Sequence, residues 1–173
     1  MATFTQIIPH SELGGIQIYW NEQGQFLACT VGGASHHDLE AVESRLEGRL
    51  APVYDFLASF GKRDEVCKLS FDIFDFSGYS PFTVQVYKTL FAVPKATLIT
   101  YGELAEKAGF ARAARAVGTA MRKNRFLMLI PCHRVVASSS LGGFAVGLET
   151  KIKLLQLEQT DLSSIKDERL RWL

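Results

Sequence analysis

The alternation of apolar and polar positions predicts a β-hairpin near the start of the chain. In residues 15–32, the segment GGIQIYW alternates isoleucine and tryptophan with glutamine and tyrosine. Such alternation is typical of a strand with one buried face. The turn-forming run Asn-Glu-Gln-Gly separates it from a second apolar segment, QFLACTV. Further along, the pattern predicts a helix over residues 36–48, and a strand with an extended connector over residues 66–76.

A change of pattern near residues 77–82, SGYSPF, indicates a domain boundary at about 78–80. Ser80 followed by Pro81 suits the N-cap and the first position of a helix, which the apolar periodicity extends over residues 81–91. The net charge of the chain changes sign at the same boundary, from negative before it to positive after it. Residues 1–79 contain five basic and eleven acidic side chains, whereas residues 80–173 contain fourteen basic and seven acidic ones. The basic half favours an interaction with a polyanion, although an ordinary solvated surface explains the charge equally well.

Two short helices are predicted after this boundary. Thr100 and Glu103 have the spacing of a capping box, so a helix is expected to begin near Tyr101 and to end by Gly109. A second helix is predicted from about Ala113 to Lys123, with Ala116, Val117 and Ala120 facing inward. Two helices joined by a turn, the second rich in arginine and small residues, indicate a helix-turn-helix, although helical hairpins are also common in bundles.

The segment IPCHRVV raises the question of what the thiol of Cys132 does. An apolar run, residues 126–130, precedes it and predicts a short buried strand or extended segment. The open interpretations are a metal ligand, a redox partner, a buried filler and a nucleophile. Three scattered cysteines do not form a disulfide framework, and no C-x-x-C pair is present. A metal site formed by His36, His37 and Cys29 is the less favoured interpretation; we expect the two histidines to begin a helix.

A nucleophilic thiol needs a base, and the base needs an orienting group. His133 is adjacent to Cys132 and can act directly or through one water molecule. In the last predicted helix, GLETKIKLLQLEQ, the apolar face formed by Leu148, Ile152 and Leu155 continues to Glu158. A carboxylate on an apolar face requires a partner, and we expect His133 to be that partner. The alternative is that Glu158 lies at a frayed helix end and binds water.

These motifs resemble the O6-alkylguanine-DNA alkyltransferases. The match rests on SPFTVQVYKTL, ITYGELAEKAG, RAVGTAMRKN, LIPCHRVVASS and GGFAVGLETKIKLLQLE, which occur in the order and at the spacing of that family and cover nearly all of residues 80–158. The resemblance implies an α+β fold. It implies a small N-terminal α/β, ribonuclease-H-like domain (1–79) with an antiparallel sheet, packed on a mostly helical DNA-binding and alkyl-acceptor domain (80–173) containing the helix-turn-helix.

The resemblance also implies a role for individual residues. Cys132 matches the alkyl acceptor, His133 the water-linked base, Glu158 the carboxylate that orients it, and Asn124 the residue that braces the preceding turn. Arg115 matches the arginine that fills the gap left by an extruded base, and Tyr101 the tyrosine that helps to rotate the nucleotide. The remaining DNA- and substrate-binding positions are Thr83, Val135, Ser138, Phe144 and Ala145, with the backbone carbonyls of Cys132 and Val135 as acceptors for the guanine amine.

The implied activity is direct-reversal DNA repair by a single-turnover methyltransferase. The protein would extrude O6-alkylguanine, with O4-alkylthymine as a further substrate, and transfer the alkyl group irreversibly to Cys132. The alternative is an alkyltransferase-like or cysteine-dependent DNA-binding protein without turnover. The implied partner is the minor groove of double-stranded DNA, bound by a monomer without a cofactor or a metal. With no visible signal segment or bilayer-spanning run, we expect a cytoplasmic protein, or a nuclear one in a eukaryote.

The chain departs from the family pattern in several places. Arg125 follows the bracing asparagine where proline is usual, and Leu127 stands where some members have proline. Phe144 replaces a frequent tyrosine. Val146 occupies a position that is glycine in members that accept bulky adducts, so we expect it to narrow the space beside Cys132. Asn21 stands where some members have a cysteine metal ligand. These differences concern the range of substrates and leave the acceptor chemistry intact.

Overall fold

The chain forms two units, which are described separately. The computed structural model describes residues 2–32, 42–43, 50–62 and 69–170. The first unit comprises Met1–Gly78 and Arg125–Leu129, and the second comprises Tyr79–Asn124 and Ile130–Leu173. The segment Arg125–Leu129 thus belongs to the first unit, although it lies within the predicted second domain. The functional identities assigned to the two predicted domains, 1–79 and 80–173, stay predictions.

An antiparallel sheet is the main feature of the first unit. Its strands are β1 (Thr3–His10), β2 (Gly14–Asn21) and β3 (Phe26–Val31), and a short β4 (Val42–Glu43) pairs parallel with β1, in the order β3-β2-β1-β4. The β2–β3 pair confirms the predicted hairpin. Sequence analysis did not predict β1, which contains Pro9, a residue that weakens a strand signal. Helix α1 (Ala51–Ala58) packs against β1.

Two predictions for the first half differ from the structure. Within the helix predicted at 36–48, Val42–Glu43 form a strand, and the rest of that range lies outside the described residues. In the strand predicted at 66–76, Phe71–Ile73 form a 3-10 turn, while residues 66–68 are not described. A 3-10 turn brings positions three apart onto one side. It places the rings of Phe71 and Phe74 5.7 Å apart, and after the turn Phe74 makes an isolated parallel bridge with Phe26, so strand pairing is limited to the end of the predicted segment.

The described part of the second unit contains four α-helices and two short parallel strands. They are α2 (Pro81–Phe91), α3 (Tyr101–Lys107), α4 (Ala114–Arg122), α5 (Leu148–Leu157) and the parallel strand pair β5 (Ile99–Thr100) and β6 (Val135–Val136). The predicted N-caps are confirmed. The Ser80 side chain accepts the Thr83 N–H, and Thr100 and Glu103 form a complete capping box. Helices α3 and α4 pack together across a short turn, as expected for a helix-turn-helix.

The inward face predicted for the second of these helices needs one correction. Val117 and Ala120 are buried as expected, but Ala116 is exposed and Met121 is buried in its place. Val117, Ala120 and Met121 form one buried stripe centred on Val117, and Ala116 lies about 100° away from Val117 around the helix, beyond the edge of that stripe. Ala116 therefore belongs to the outer, basic face of α4.

The apolar run before Cys132 is only briefly strand-like. Phe126 makes an isolated parallel bridge with Cys29, and the Arg125 carbonyl accepts the Cys29 N–H at 2.7 Å within the first unit. The following residues form a turn in which Met128 has a φ of 64°, a left-handed conformation that ends the pairing. The α+β fold class is confirmed. Among the described residues no helix combines the length and the apolarity needed to cross a membrane.

Candidate active site

Cys132 lies at the start of a tight turn in the second unit. Cys132–Arg134 form a 3-10 turn that leads directly into β6, and the Cys132 N–H donates to the Ile130 carbonyl at 2.8 Å. The Cys132 side chain is almost withdrawn from solvent, with 4 % of its surface exposed. A backbone turn between a buried residue and a strand fixes the position of the thiol, as a preorganised nucleophile requires.

His133 and Glu158 are in contact, as predicted. His133 Nε2 lies 3.1 Å from Glu158 Oε1, and both side chains are buried. Glu158 caps the C-terminal end of α5, and its N–H donates to the Leu154 carbonyl, so it continues the last turn instead of fraying. Burial alone would raise the pKa of Glu158, but hydrogen bonds from His133 and Arg134 outweigh it and lower this pKa to about 2. The carboxylate is therefore ionised at neutral pH.

Arg134 holds the same carboxylate and was not predicted as a site residue. Its Nε donates to Glu158 Oε2 at 2.9 Å and its Nη2 donates to Oε1 at 2.5 Å, a two-pronged pairing that fixes the orientation of the carboxylate. Its Nη1 donates to the Val93 carbonyl. The arginine next to a candidate base was visible in the motif, but only the fold shows that it turns inward to Glu158.

Asn124 contacts the thiol from the other side. Its Nδ2 donates to the Ile130 carbonyl at 2.9 Å, and its side chain is also hydrogen-bonded to Cys132. The residue is buried immediately after α4. Asn124 thus joins the end of α4 to the backbone that carries the thiol, and its bracing role stays a prediction.

The protonation states suit a thiol that ionises only when it reacts. Burial raises the pKa of Cys132 to about 11, although the Asn124 hydrogen bond and the charge of Lys151 oppose this shift. Burial lowers the pKa of His133, against the contribution of Glu158. At neutral pH the resting pair is therefore a thiol and a neutral imidazole. A neutral imidazole can accept the thiol proton, and the ionised Glu158 stabilises the resulting cation.

A cavity of about 250 Å³ opens beside Cys132. The predicted residues Tyr101, Arg115, Phe144 and Ala145 line it together with Cys132. Residues not predicted for this role also line it: Gly118, Thr119, Met121, Arg122 and Gly143. The helical period could have predicted three of these lining residues. Gly118, Thr119 and Arg122 follow Arg115 by three, four and seven positions, so they lie on the same face of α4. That face places two exposed arginines at the cavity.

Tyr101 lies against two glycines, and at Gly142 the absence of a Cβ leaves the space that the tyrosine hydroxyl occupies. A Cβ on Gly118 would lie 3.9 Å from the Tyr101 ring, and a Cβ on Gly142 would lie 2.9 Å from its hydroxyl oxygen. The hydroxyl also has a backbone hydrogen bond with Gly143, and burial raises the pKa of Tyr101. The tyrosine is therefore held as a neutral phenol in the cavity wall, between α4 and the loop that follows β6.

Other predicted positions do not line the cavity. The Val135 carbonyl accepts a hydrogen bond from Lys151 Nζ at 2.5 Å. Thr83 belongs to the N-terminal cap of α2, where its hydroxyl lies 3.0 Å from that of Ser80. Ser138 is exposed in a bend. Val146, expected to narrow the space beside Cys132, is not among the lining residues; its carbonyl accepts the Thr150 hydroxyl at the start of α5.

Among the described residues, no group of three or more His, Cys, Asp or Glu side chains could hold a metal ion. The alternative metal site cannot be placed, because His36 and His37 lie outside the described residues.

Comparison with known proteins identifies the second half of the chain. Residues 81–160 match the family model described as 6-O-methylguanine DNA methyltransferase, DNA binding domain. A methylated-DNA–protein-cysteine methyltransferase of Sulfurisphaera tokodaii is 40 % identical over 89 residues, covering 51 % of this chain and 56 % of the relative. A protein of the same name from Metallosphaera sedula is 49 % identical over 77 residues, covering 44 % and 48 % respectively. The matched region thus spans about half the length of these curated relatives.

The fold comparison extends over nearly the whole chain. The crystal structure of Mycobacterium tuberculosis OGT in complex with DNA matches with a TM-score of 0.70 and 25 % identity, covering 95 % of each chain. The residues that carry the motifs of the sequence, from Pro81 to Glu158, fall inside the matched family region, and Ser80, the N-cap of α2, directly precedes it. Residues 81–160 are therefore similar to the DNA-binding domain of the 6-O-methylguanine DNA methyltransferases, and the fold of nearly the whole chain is similar to that of the Mycobacterium tuberculosis structure.

Proposed function

We propose that this protein repairs O6-alkylguanine in DNA by transferring the alkyl group to Cys132. The observation that carries this proposal is the buried relay of Asn124, Cys132, His133 and Glu158 beside the cavity. A volume of about 250 Å³ lies just below the usual size of ligand sites, which is about 300–1,000 Å³. It therefore suits a single base with a small substituent, and O4-alkylthymine is a second candidate substrate.

The proposed chemistry is a single displacement. The thiol proton passes to His133, directly or through one water, and Glu158 stabilises the imidazolium. The thiolate then attacks the carbon attached to O6, so that a carbon–sulfur bond forms while the carbon–oxygen bond breaks. The electron pair of the broken bond stays on the guanine, which takes up the proton that the thiol lost. The thioether has no route back to a thiol, so each molecule acts once.

The position of the cavity explains why the base must leave the duplex. O6 of guanine lies inside the double helix, and the thiol lies deep beside α4 and cannot reach it there. We propose that Tyr101 supports the extruded nucleotide and that Arg115, which is exposed at the cavity, takes the vacated position in the stack. Thr83 and Ser138 lie outside the cavity, and both are candidates for contacts with the DNA backbone.

The outer face of α4 suits the minor groove of DNA, which admits few bulky side chains. Ala116 is exposed between Arg115, near the start of α4, and two cations at its end, Arg122 and Lys123. Small residues permit a close approach to the minor groove, while the cations neutralise phosphates without reading sequence. We infer that a monomer binds double-stranded DNA in this way, because lesion recognition must be independent of the flanking bases.

The alternative is an alkyltransferase-like or cysteine-dependent DNA-binding protein, which binds the lesion or DNA without turnover. The test uses a duplex with one O6-methylguanine and follows the restored guanine by chromatography of the digested DNA. We expect one guanine restored for each protein molecule, and no more at longer times. No restored guanine despite lesion binding would support the alternative, and several guanines for each protein molecule would indicate a turnover enzyme and contradict the proposal.

A further inference from the structure

Lys151 is a fully buried cation that the relay does not use. It lies on the inner face of α5, and none of its surface is exposed. Its Nζ donates to the carbonyls of Val135 and Leu141 at 2.5 Å each, and lies 3.5 Å from the Gly143 carbonyl. All three of these acceptors are neutral backbone groups. The position was readable from the helical period, because Lys151 falls between Leu148 and Leu155 on the apolar stripe.

A buried ammonium held only by neutral groups is unfavourable. Burial lowers the pKa of Lys151 to about 8, and the negative form of Cys132 acts in the opposite direction. An aliphatic side chain of the same length would fill this space without that cost. Charged groups that are desolvated next to a reactive residue are often kept for their effect on that residue.

The carbonyls that Lys151 holds belong to two segments close to the thiol. Val135 follows the Cys132–Arg134 turn directly, whereas Leu141 and Gly143 belong to one loop, in which Gly143 lines the cavity. The Leu141 N–H is also held, since it donates to Asp167 Oδ2 at 3.2 Å. One ammonium thus joins the cavity wall to the segment that carries the thiol.

The charge of Lys151 acts on both partners of the proton transfer. It lowers the pKa of Cys132, and it also lowers the pKa of His133. The nearby cation Arg134 forms an ion pair with Glu158, so the carboxylate largely neutralises the charge of Arg134. Tyr101 and Tyr87 also interact with Cys132, and both remain neutral phenols at physiological pH because burial raises the pKa of each. The charge of Lys151 is therefore well placed to favour a thiolate.

We propose that Lys151 is a positioning residue that fixes the cavity wall through the Leu141 and Gly143 carbonyls and stabilises the Cys132 thiolate as its proton leaves. The proposal deepens the proposed function, because it explains how a buried thiol becomes a nucleophile. It concerns the thiol itself and is testable without DNA.

The test compares Lys151→Met with Lys153→Met, the same change at an exposed position of the same helix. Each protein is treated with iodoacetamide from pH 7 to pH 9.5, and the labelling of Cys132 is measured by peptide mass spectrometry. A neighbouring opposite charge lowers a pKa by about 1 to 3 units, and one unit corresponds to about a tenfold change in thiolate. We expect Lys151→Met to label about tenfold more slowly than wild type at pH 7. The ratio of the wild-type labelling rate to the Lys151→Met labelling rate should fall towards one by pH 9.5. The reason is that Lys151 itself loses its proton near pH 8 in the wild-type protein.

The shape of this profile distinguishes charge from structure. A purely structural role would change access to the thiol by a similar factor at every pH, and that result, or labelling equal to wild type throughout, would overturn the proposal. Lys151→Gln serves as a second neutral variant that keeps hydrogen-bond donors, in case the methionine variant does not fold. It should show the same pH-dependent deficit, and Lys153→Met should label like wild type. Failure of DNA repair in the wild-type protein would contradict the proposed function without affecting this measurement.

Discussion

Glu158 Oε1 lies 3.1 Å from His133 Nε2 in the interior of the second unit, so the end of α5 and the turn after Cys132 meet through one pair of side chains. Arg134 holds the same carboxylate through Nε and Nη2. The carboxylate therefore serves two neighbouring residues at once: it orients the candidate base and neutralises the arginine. Removing its charge should affect both reactivity and stability, and the two effects can be measured separately.

Glu158→Gln should slow alkyl transfer by about 10- to 100-fold, the usual effect of losing a group that orients a reactive residue. Lesion binding should remain close to wild type, because Glu158 is buried and does not line the cavity. Single-turnover rates on an O6-methylguanine duplex measure the effect. Glu149→Gln, an exposed change in the first turn of α5, is the control. A transfer rate equal to that of the control would show that Glu158 only caps the helix.

The stability of the protein should depend on the ionisation of Glu158 at acid pH. The folded-state pKa of about 2 lies below the ordinary value of 4.5, so this carboxylate stabilises the fold above about pH 4.5. The contribution, about 3 kcal/mol, should be lost as the pH falls from about 4.5 towards 2. Urea denaturation of wild type and Glu158→Gln measures it. The difference in unfolding free energy should be constant near neutrality and shrink in acid; parallel curves would contradict the assignment.

Arg115→Ala should impair repair of duplex DNA far more than reaction with a free alkylated base. Extruding a base costs a few kcal/mol, and if Arg115 offsets part of that, the duplex rate should fall about tenfold or more. The reaction with free O6-methylguanine should be nearly unchanged. Lys123→Ala, an exposed cation at the end of the same helix, should lower DNA affinity without this selectivity. Equal losses on both substrates would place Arg115 in the chemistry or the fold instead.

Gly142→Ala should destabilise the protein, whereas Gly143→Ala should not. Gly142 has a φ of 70°, and an added Cβ would lie 2.9 Å from the Tyr101 hydroxyl oxygen and 3.3 Å from the Ala137 nitrogen. The left-handed backbone alone costs about 1–2 kcal/mol for other residues. Gly143 has open space around its Cβ position. Guanidinium denaturation of the two variants tests this, and similar stabilities would show that Tyr101 adjusts freely.

The second unit was predictable where its signals are local. The Ser80 cap, the Thr100–Glu103 capping box and the period of α5 fix helix ends and faces through neighbouring residues, and the structure contains each of them. The His133–Glu158 contact followed from the need of a buried carboxylate for a partner. Ala116 was placed on the wrong face because small residues give a weak periodic signal, and the buried Met121 defines the stripe more clearly.

What depends on contacts between distant segments was not predictable. Arg134 and Lys151 are ordinary surface residues by type, and only the fold shows that one pairs with Glu158 and the other holds backbone carbonyls. Val146 was expected beside the thiol by alignment alone, but the loop turns so that Gly143, Phe144 and Ala145 form the wall. The 3-10 turn at Phe71–Ile73 likewise arises from aromatic packing, which a strand-like pattern does not encode.

The most direct test of the account is to follow a labelled methyl group. A duplex whose single O6-methylguanine carries a trideuterated methyl group is incubated with an equal amount of protein, and the digested protein is analysed by mass spectrometry. The account predicts one trideuteromethyl group on the peptide that contains Cys132, located on its sulfur, and none in Cys132→Ser, which should still bind the duplex. An unlabelled Cys132 peptide, or a label on another residue, would contradict the claim that Cys132 is the acceptor.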